Sequence, residues 1–285
     1  MSVSIDIEHL RQWVGREQVA GQTLEPFAAA AMSGLLDRAG VPPAAGDALP
    51  LPWHWLYFLE TPARASIGVD GHPQRGGFLP PVPLPRRMWA AGALQCEAPL
   101  RLGAPAHKRS TVRSVDLKEG RSGPLVFVTV DHLLEQDGRV CIREEQNIVY
   151  REAPAAPAPL PPGEKATKAA QWSATLRPDP ALLFRFSALT YNGHRIHYDR
   201  DYAVREEFYP ALVVHGPLLA TALLDLLDRG RPGVPVRGFS FRALRPAFDT
   251  DTLQLCAAAD GDTVELWTQD AQGLVGMTAR ATLAP

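Results

Sequence analysis

Within six residues, Asn192-Gly193-His194-Arg195-Ile196-His197, this chain gathers three side chains able to handle water and protons. A histidine is the side chain whose charge changes nearest neutral pH, so His197 and His194 are candidates for general acid–base work. Asn192 can orient a water or an imidazole without adding charge. Tyr198, Asp199 and Asp201 follow at once. Further on, Val213-Val214-His215-Gly216-Pro217 runs straight into an apolar helical stretch. The first N–H groups of a helix have no partner inside it and sit at the positive end of its dipole. A glycine at that point lets a substrate approach the backbone, and Pro217 is compatible with the first helical position. Gly216 is therefore a candidate oxyanion donor. Read singly, these residues also have plain structural roles. Asp199 suits a helix N-cap, His215 a brace for the loop before the helix, and Tyr191 and Tyr198 packing with bonded hydroxyls. His194 and His197 could hold a metal, but no third ligand stands at matching spacing, so no metal is expected.

The positioning elements can be read from periodicity and turn signals. Leu182 to Thr190 reads as a short strand, which puts the histidines just past a strand end. A helix runs from about Pro217 to Leu227 and stops near Gly230. Four strand-like runs follow, Val236 to Arg245, Thr252 to Ala259, Thr263 to Gln269 and Leu274 to Leu283, with turns at Asp260-Gly261 and Gln272-Gly273. The earlier part of the chain has the same order. Short helical segments come first, including Thr23 to Asp37 with Gly40 as its stop. An irregular region from Pro42 to Pro85 follows. Then come runs over Met88 to Ala98, Ala106 to Leu117, Pro124 to Gln136 and Val140 to Arg151. The last two are joined at Asp137-Gly138, a hairpin signal. Between the halves lies Ala153 to Glu164, APAAPAPLPPGE, too rich in proline for helix or central strand. The expected division is residues 1–152, a linker over 153–166, and 167–285. Each half, a helix followed by an antiparallel meander, suggests an α+β chain of two helix-wrapped sheets, the double hot-dog arrangement.

Bulk properties narrow the function classes. The chain has 285 residues, 46% of them apolar, which suffices for two domain-sized cores. A formal net charge of −2 gives no basic surplus for nucleic acid. No apolar run approaches the ~20 residues of a membrane span, and the start, MSVSIDIEHLRQWVGRE, lacks the pattern of a secretory signal. Cys96, Cys141 and Cys256 lie far apart, with no CxxC pair, which fits a reducing, cytoplasmic setting.

The motif resembles that of the MaoC-like, R-specific enoyl-CoA hydratases. Their signature is D-x-N-P-I-H, followed by an Asp and an Ala, then an H-G pair opening the hot-dog helix. Here NGHRIH, with Asp199 and Ala203 after it and His215-Gly216, occupies those places. Asn192 stands where that family has its Asp, and His194-Arg195 replace Asn-Pro. FSALTYNGHRIHYD, together with WVGRE and GFLPPVPLPRRMWAAG, is closer to the type 2 hydroxyacyl-thioester dehydratases and the mesaconyl-C4-CoA and itaconyl-CoA hydratases. The resemblance covers most of the chain. It implies a double hot-dog fold with an inactive first half that serves as pocket wall. It implies hydration and dehydration of an acyl-CoA, with no cofactor besides the CoA of the substrate. His197 would be the base, Asn192 would orient the water, and Gly216 would hold the thioester oxyanion.

The hydratase resemblance also implies a branched C5 dicarboxylyl-CoA, itaconyl- or mesaconyl-C4-CoA, hydrated to citramalyl-CoA. A free carboxylate in a dry pocket calls for a cation, preferably arginine. Arg86, Arg87, Arg109 and Arg195 are the candidates, and Arg242 and Arg245 are candidates for the CoA phosphates. Two other readings stay open. One is a 3-hydroxyacyl-thioester dehydratase of fatty acid metabolism, which would need a long apolar channel. The other is a non-catalytic acyl-CoA-binding module, since a fold does not fix a function. A thioesterase would leave NGHRIH unexplained. Nucleic acid and membranes are not expected partners, and a homodimer is compatible with the fold.

Overall fold

The computed structural model describes residues 4–120, 123–160 and 162–284. Met1 to Val3 of the expected non-secretory start, and Pro161 in the proline-rich segment, lie outside the described residues. The first part of the chain holds α1 (Ile7–Arg11), β1 (Glu17–Thr23), α2 (Pro26–Leu35), β2 (Arg86–Cys96), β3 (Pro105–Gly120), β4 (Gly123–Gln136) and β5 (Arg139–Arg151). After it come β6 (Trp172–Leu176), α3 (Pro180–Leu189), α4 (Arg200–Arg205), α5 (Gly216–Gly230), β7 (Val236–Ala243), β8 (Leu253–Asp260), β9 (Thr263–Gln269) and β10 (Val275–Leu283).

All ten strands form one antiparallel sheet in the order β1-β3-β4-β5-β2-β7-β10-β9-β8-β6. Numbered from its own first strand, each half of the sheet has the order 1-3-4-5-2. The halves meet where β2 pairs β7, from Ala91 opposite Arg242 to Gln95 opposite Gly238. The turns follow their residues. Asp137 and Gly138 both have positive φ, 51° and 71°, as the tight hairpin between β4 and β5 requires. Gly261 and Gly273 supply the same freedom to the later turns, at 59° and 78°.

The two halves use their helices differently. α5 has 15 residues, and its leucines, among them Leu218, Leu223 and Leu227, are buried over β6, β8, β9 and β10. This is the amphipathic stripe that a sheet-covering helix needs. α2 has only 10 residues and packs on α3 and a 3-10 turn at Trp53–Leu56. The inner face of β3, β4 and β5 is left uncovered by it and lines a cavity instead, through Lys108, His132, Glu144 and Ile148 among others.

Several sequence expectations need correction. Leu182 to Thr190 is no strand; it belongs to α3. Asp179 caps that helix, its carboxylate accepting from the Leu182 N–H at 2.8 Å, and Pro180 opens it. Burial of Leu183, Phe186 and Ser187 follows a 3-and-4 spacing, not alternation. The helix read over Thr23 to Asp37 begins at Pro26 and ends at Leu35, and the left-handed residue after it is Asp37 (φ 51°), ahead of Gly40. β1 and β6, short edge strands with little apolar content, went unread. Among the described residues no helix is long and apolar enough to cross a membrane.

Because Leu223 is fully buried where α5 lies on the sheet, Leu223→Ala is expected to cost about 3 kcal/mol of unfolding free energy. Urea unfolding measures it. A loss below about 1 kcal/mol would mean that α5 is not the organising helix of this half.

Candidate active site

α3 ends in a sequence of tight turns that aim the motif. Thr190 follows the helix, Tyr191 is left-handed at φ 49°, and the Asn192 N–H returns to the Ser187 carbonyl at 2.9 Å. The Asn192 Oδ1 then accepts the His194 N–H at 3.0 Å, which leaves its amide nitrogen as a donor on a residue that lines the cavity. Arg195–His197 form a 3-10 turn, so His197 does not sit at a strand end. Asp199 caps α4, accepting from the Tyr202 N–H at 3.0 Å. Beyond it, the Val213 N–H bonds the Ile196 carbonyl at 3.0 Å, and this bond brings the His215-Gly216 helix start beside the motif.

His197 is buried, and its Nδ1 lies 2.7 Å from the Val213 carbonyl oxygen. A carbonyl only accepts, so Nδ1 carries the proton and Nε2 keeps a lone pair. The ring stacks on His215 at 3.7 Å between centroids, with 21° between planes. His215 is itself fully buried, and its Nε2 is 2.8 Å from the Ser187 hydroxyl. On the other side lie His194, with centroid 5.4 Å from that of His197, and then His72, with centroid 4.1 Å from that of His194. Four imidazoles thus form a row. Burial lowers the pKa of all four, because it penalises the charged form. His197 falls to about 4, with the Val213 bond opposing the shift and His72 adding to it. His72 also falls to about 4, through burial and then the Arg87 charge. His194 and His215 fall well below the ordinary histidine value, each depressed further by a neighbouring imidazole. At neutral pH His197 is a neutral base.

His72 comes from a loop in the first half of the chain, which the sequence reading passed over. Its Nδ1 lies 3.1 Å from the Asp70 carboxylate, which also accepts the His72 N–H at 3.0 Å. The loop is docked on the motif by backbone. The Arg195 N–H donates to the Asp70 carbonyl at 2.9 Å, and the Arg195 guanidinium reaches the Val69 carbonyl at 3.0 Å. The two segments touch at Gly71 and Gly193. A Cβ on Gly71 would lie 1.8 Å from the Gly193 oxygen. Asp70, His72 and His194 each bring one ligand atom within 4.8 Å of the others. Structure therefore supplies the third ligand that sequence spacing lacked, though around His194 and not His197. Asp70 is already engaged by His72, and Arg87 lies close enough to depress both histidines, so a cation there would meet a competing positive charge.

Gly216 opens α5, and its N–H finds no protein acceptor among the described residues. It borders, with Asn192 and His197, one wall of a cavity of about 1200 Å³. The predicted arginines divide. Arg86 and Arg87 line this cavity, as does Arg245, which is paired with Asp270 at 3.1 Å. Arg109 does not. It is half exposed on the β1–β3 edge, paired with Glu17 at 3.2 Å. Arg195 braces the loop and pairs with Asp199 at 2.7 Å, outside the cavity lining. Arg242 is exposed on β7, away from it. At the end of the cavity under the first half of the sheet stands a polar group the sequence did not disclose. There Glu144 accepts from Trp55 at 2.8 Å and Gln146 at 2.8 Å and lies 2.9 Å from the His54 Nε2, with Lys108 and His132 nearby. Burial alone would raise the Glu144 carboxyl, but His54 and these hydrogen bonds hold it down to about 2.

Residues 52–249 match the family model described as hydroxyacyl-thioester dehydratase type 2. The mesaconyl-C(4)-CoA hydratase of Chloroflexus aurantiacus is 48% identical, over 95% of this chain and 96% of that protein. The mitochondrial hydroxyacyl-thioester dehydratase type 2 of Schizosaccharomyces pombe is 27% identical, over 75% of this chain and 78% of that protein. Among solved structures, HtdX of Mycobacterium tuberculosis superposes with a TM-score of 0.66 at 18% identity, covering 94% of this chain and all of that one. A second M. tuberculosis protein, described as a double hot-dog, gives 0.57 at 14% identity, covering 95% and 96%. The α+β double hot-dog fold is thereby shown.

Two predictions follow from the geometry. The four depressed histidines stay neutral in the folded protein while the unfolded chain takes up protons from about pH 6.5. Stability is therefore complete above that pH and is lost as pH falls toward 4. The melting temperature should already drop between pH 6.5 and 5, before ordinary carboxylates titrate, and a flat profile there would refute buried neutral imidazoles. The second concerns docking of the loop. Gly15 and Gly71 both have positive φ, at 82° and 88°, but a Cβ at Gly15 meets nothing within 4 Å. Gly71→Ala should thus destabilise by about 2 kcal/mol more than Gly15→Ala in urea unfolding. Equal costs would mean that the loop is not clamped.

Proposed function

Since the chain belongs to the type 2 hydroxyacyl-thioester dehydratase family, we propose that it reversibly hydrates a branched C5 dicarboxylyl-CoA, mesaconyl-C4-CoA or its isomer itaconyl-CoA, to citramalyl-CoA. The observation that carries the chemistry is the Nδ1–H of His197 fixed on the Val213 carbonyl, which leaves Nε2 as a buried neutral base within the same cavity wall as Gly216. The extent of identity to a mesaconyl-C(4)-CoA hydratase supports the acyl group. In mesaconyl-C4-CoA the double bond is conjugated with the thioester, and the free carboxylate sits on the β-carbon.

The steps are then as follows. Water, oriented by the Asn192 amide nitrogen, loses a proton to the His197 Nε2 as its oxygen bonds the β-carbon. The π electrons move onto the thioester oxygen, which the Gly216 N–H stabilises; one such donor is worth roughly 3–4 kcal/mol. The enolate collapses, and the proton held on Nε2 passes to the α-carbon. One water is consumed, and His197 returns to its starting form. Because Asn192 cannot take a proton, His197 carries the acid–base work, and the reaction as written uses no group beyond these side chains and the CoA of the substrate. His215 and Ser187 hold the imidazole face, and Arg245, which borders the cavity, is our candidate for a CoA phosphate.

The fatty-acyl dehydratase reading draws support from the family and from the size of the cavity. The far end of that cavity speaks against it, since Lys108, His132, Glu144 and Gln146 would meet an alkyl chain with charged and polar groups. We infer that the first half of the chain does more than wall the pocket, because Asp70 and His72 reach the motif from there. We also take the protein to act in the cytoplasm.

His197→Ala should lower kcat for mesaconyl-C4-CoA hydration by about 1000-fold with the melting curve retained. A folded variant within tenfold of the parent would remove His197 from the mechanism.

A further inference from the structure

The cavity contains more positive charge than it neutralises, and one of its unpaired cations lies beside the imidazole row. Arg75 is spent on the carbonyls of Val82, Leu84 and Pro85. Arg86 is paired with Glu207 at 2.5 Å and lies over the Tyr209 ring. Arg245 holds Asp270. Lys108 and Arg151 also have no ion pair among the described residues, but Lys108 lies over the Phe58 ring toward Glu144 and Arg151 stands opposite Arg86 in the sheet register, toward Tyr209, while Arg64 is exposed. Arg87, the neighbour of Arg86 on β2, is partly buried, borders the cavity, and has neither a salt bridge nor a hydrogen bond among the described residues. Its charge is felt at His72 and His194, the end of the imidazole row nearest it. Beside it lies His72, whose Nδ1–H is held by the Asp70 carboxylate; a neutral ring with its proton there keeps only a lone pair on Nε2, so the guanidinium is the donor at this place. A partly buried guanidinium with no ion pair among the described residues, the Asp70 carboxylate that feels its charge being held by His72, offers a fork of donors that a carboxylate would satisfy.

Resting on the hydratase reading above, we propose that Arg87 seats the free carboxylate of the substrate and selects dicarboxylic over monocarboxylic acyl-CoAs. The chemistry fixes where this seat must be. The free carboxylate is bonded to the carbon that water attacks, so it lies within a few ångströms of the His197 Nε2. Left uncompensated, its negative charge would repel the incoming oxygen as that oxygen gains charge. A guanidinium on the carboxylate offsets this repulsion, and so acts on the attack as well as on binding. Neither Arg109 nor Arg195 can serve, because each already has a carboxylate partner outside the cavity.

The test reads a ratio, kcat/KM for mesaconyl-C4-CoA over kcat/KM for crotonyl-CoA, which has the same conjugated thioester but no carboxylate. In Arg87→Met the ratio should fall about 100-fold, the usual scale for removing one partner of a close charge pair. Arg87→Lys, which keeps the charge and loses the fork, should fall between this variant and the parent. Arg109→Met should leave the ratio alone. If Arg87→Met does not fold, Arg87→Gln reads the same quantity. A folded variant at Arg87 with an unchanged ratio overturns the seat, whatever its absolute rates. A parent protein that prefers crotonyl-CoA overturns the dicarboxylate reading itself, and that result is visible before any variant is made.

Discussion

Five consecutive residue pairs between β2 and β7 turn two five-stranded arrays into one sheet, and the geometry of the site rests on that seam. β2 presents Arg86, Arg87 and Trp89 just before it enters the seam, and the Trp89 carbonyl lies 3.7 Å from where a Cβ on Gly216 would stand. The helix start therefore faces the strand of the other half across a gap fixed by backbone hydrogen bonds. Trp89 in turn packs edge-on to Trp55 at 4.8 Å, and Trp55 donates to Glu144. A continuous run of contacts leads from the oxyanion position to the far polar end of the cavity.

The seam has its effect because the two halves are unequally filled. Where α5 covers its sheet, buried leucines fill the space between them. Where α2 is short and displaced onto α3, the long strands β3, β4 and β5 keep an open face. Burial at that junction sets the electrostatics. Desolvation keeps the imidazoles neutral, and a neutral His197 with a fixed tautomer is worth more as a base than a charged one. The cost is borne in acid, where each of these rings resists the proton that the unfolded chain accepts.

Much of this was legible in the residues. The hairpin at Asp137-Gly138, the meander strands, the His-Gly start of α5 and the Asp199 cap were read from local signals, because each depends on residues a few positions apart. α3 was misread because its apolar run was weighed without the Asp179-Pro180 pair that starts it. The edge strands β1 and β6 were missed because edge pairing places little demand on side chains. Asp70 and His72 were missed for a different reason. Their value comes from contact with residues more than a hundred positions away, and nothing in the local pattern of Gly68 to Pro73 announces it. The arginines could be named but not ranked, since rank depends on which carboxylate each one meets after folding.

The crossing of Gly71 and Gly193 has one more consequence, for how this sequence can change. A Cβ on Gly71 would lie 1.8 Å from the Gly193 oxygen, and a Cβ on Gly193 would lie 2.7 Å from the Gly71 oxygen. Each side chain would strike the backbone of the other segment, so no substitution at one position makes room for growth at the other. Two distant sites are tied together without any compensating pair being available. Paired mutations, the usual route by which contacting residues drift, are closed here, and a library built on this scaffold gains nothing by varying the two positions jointly.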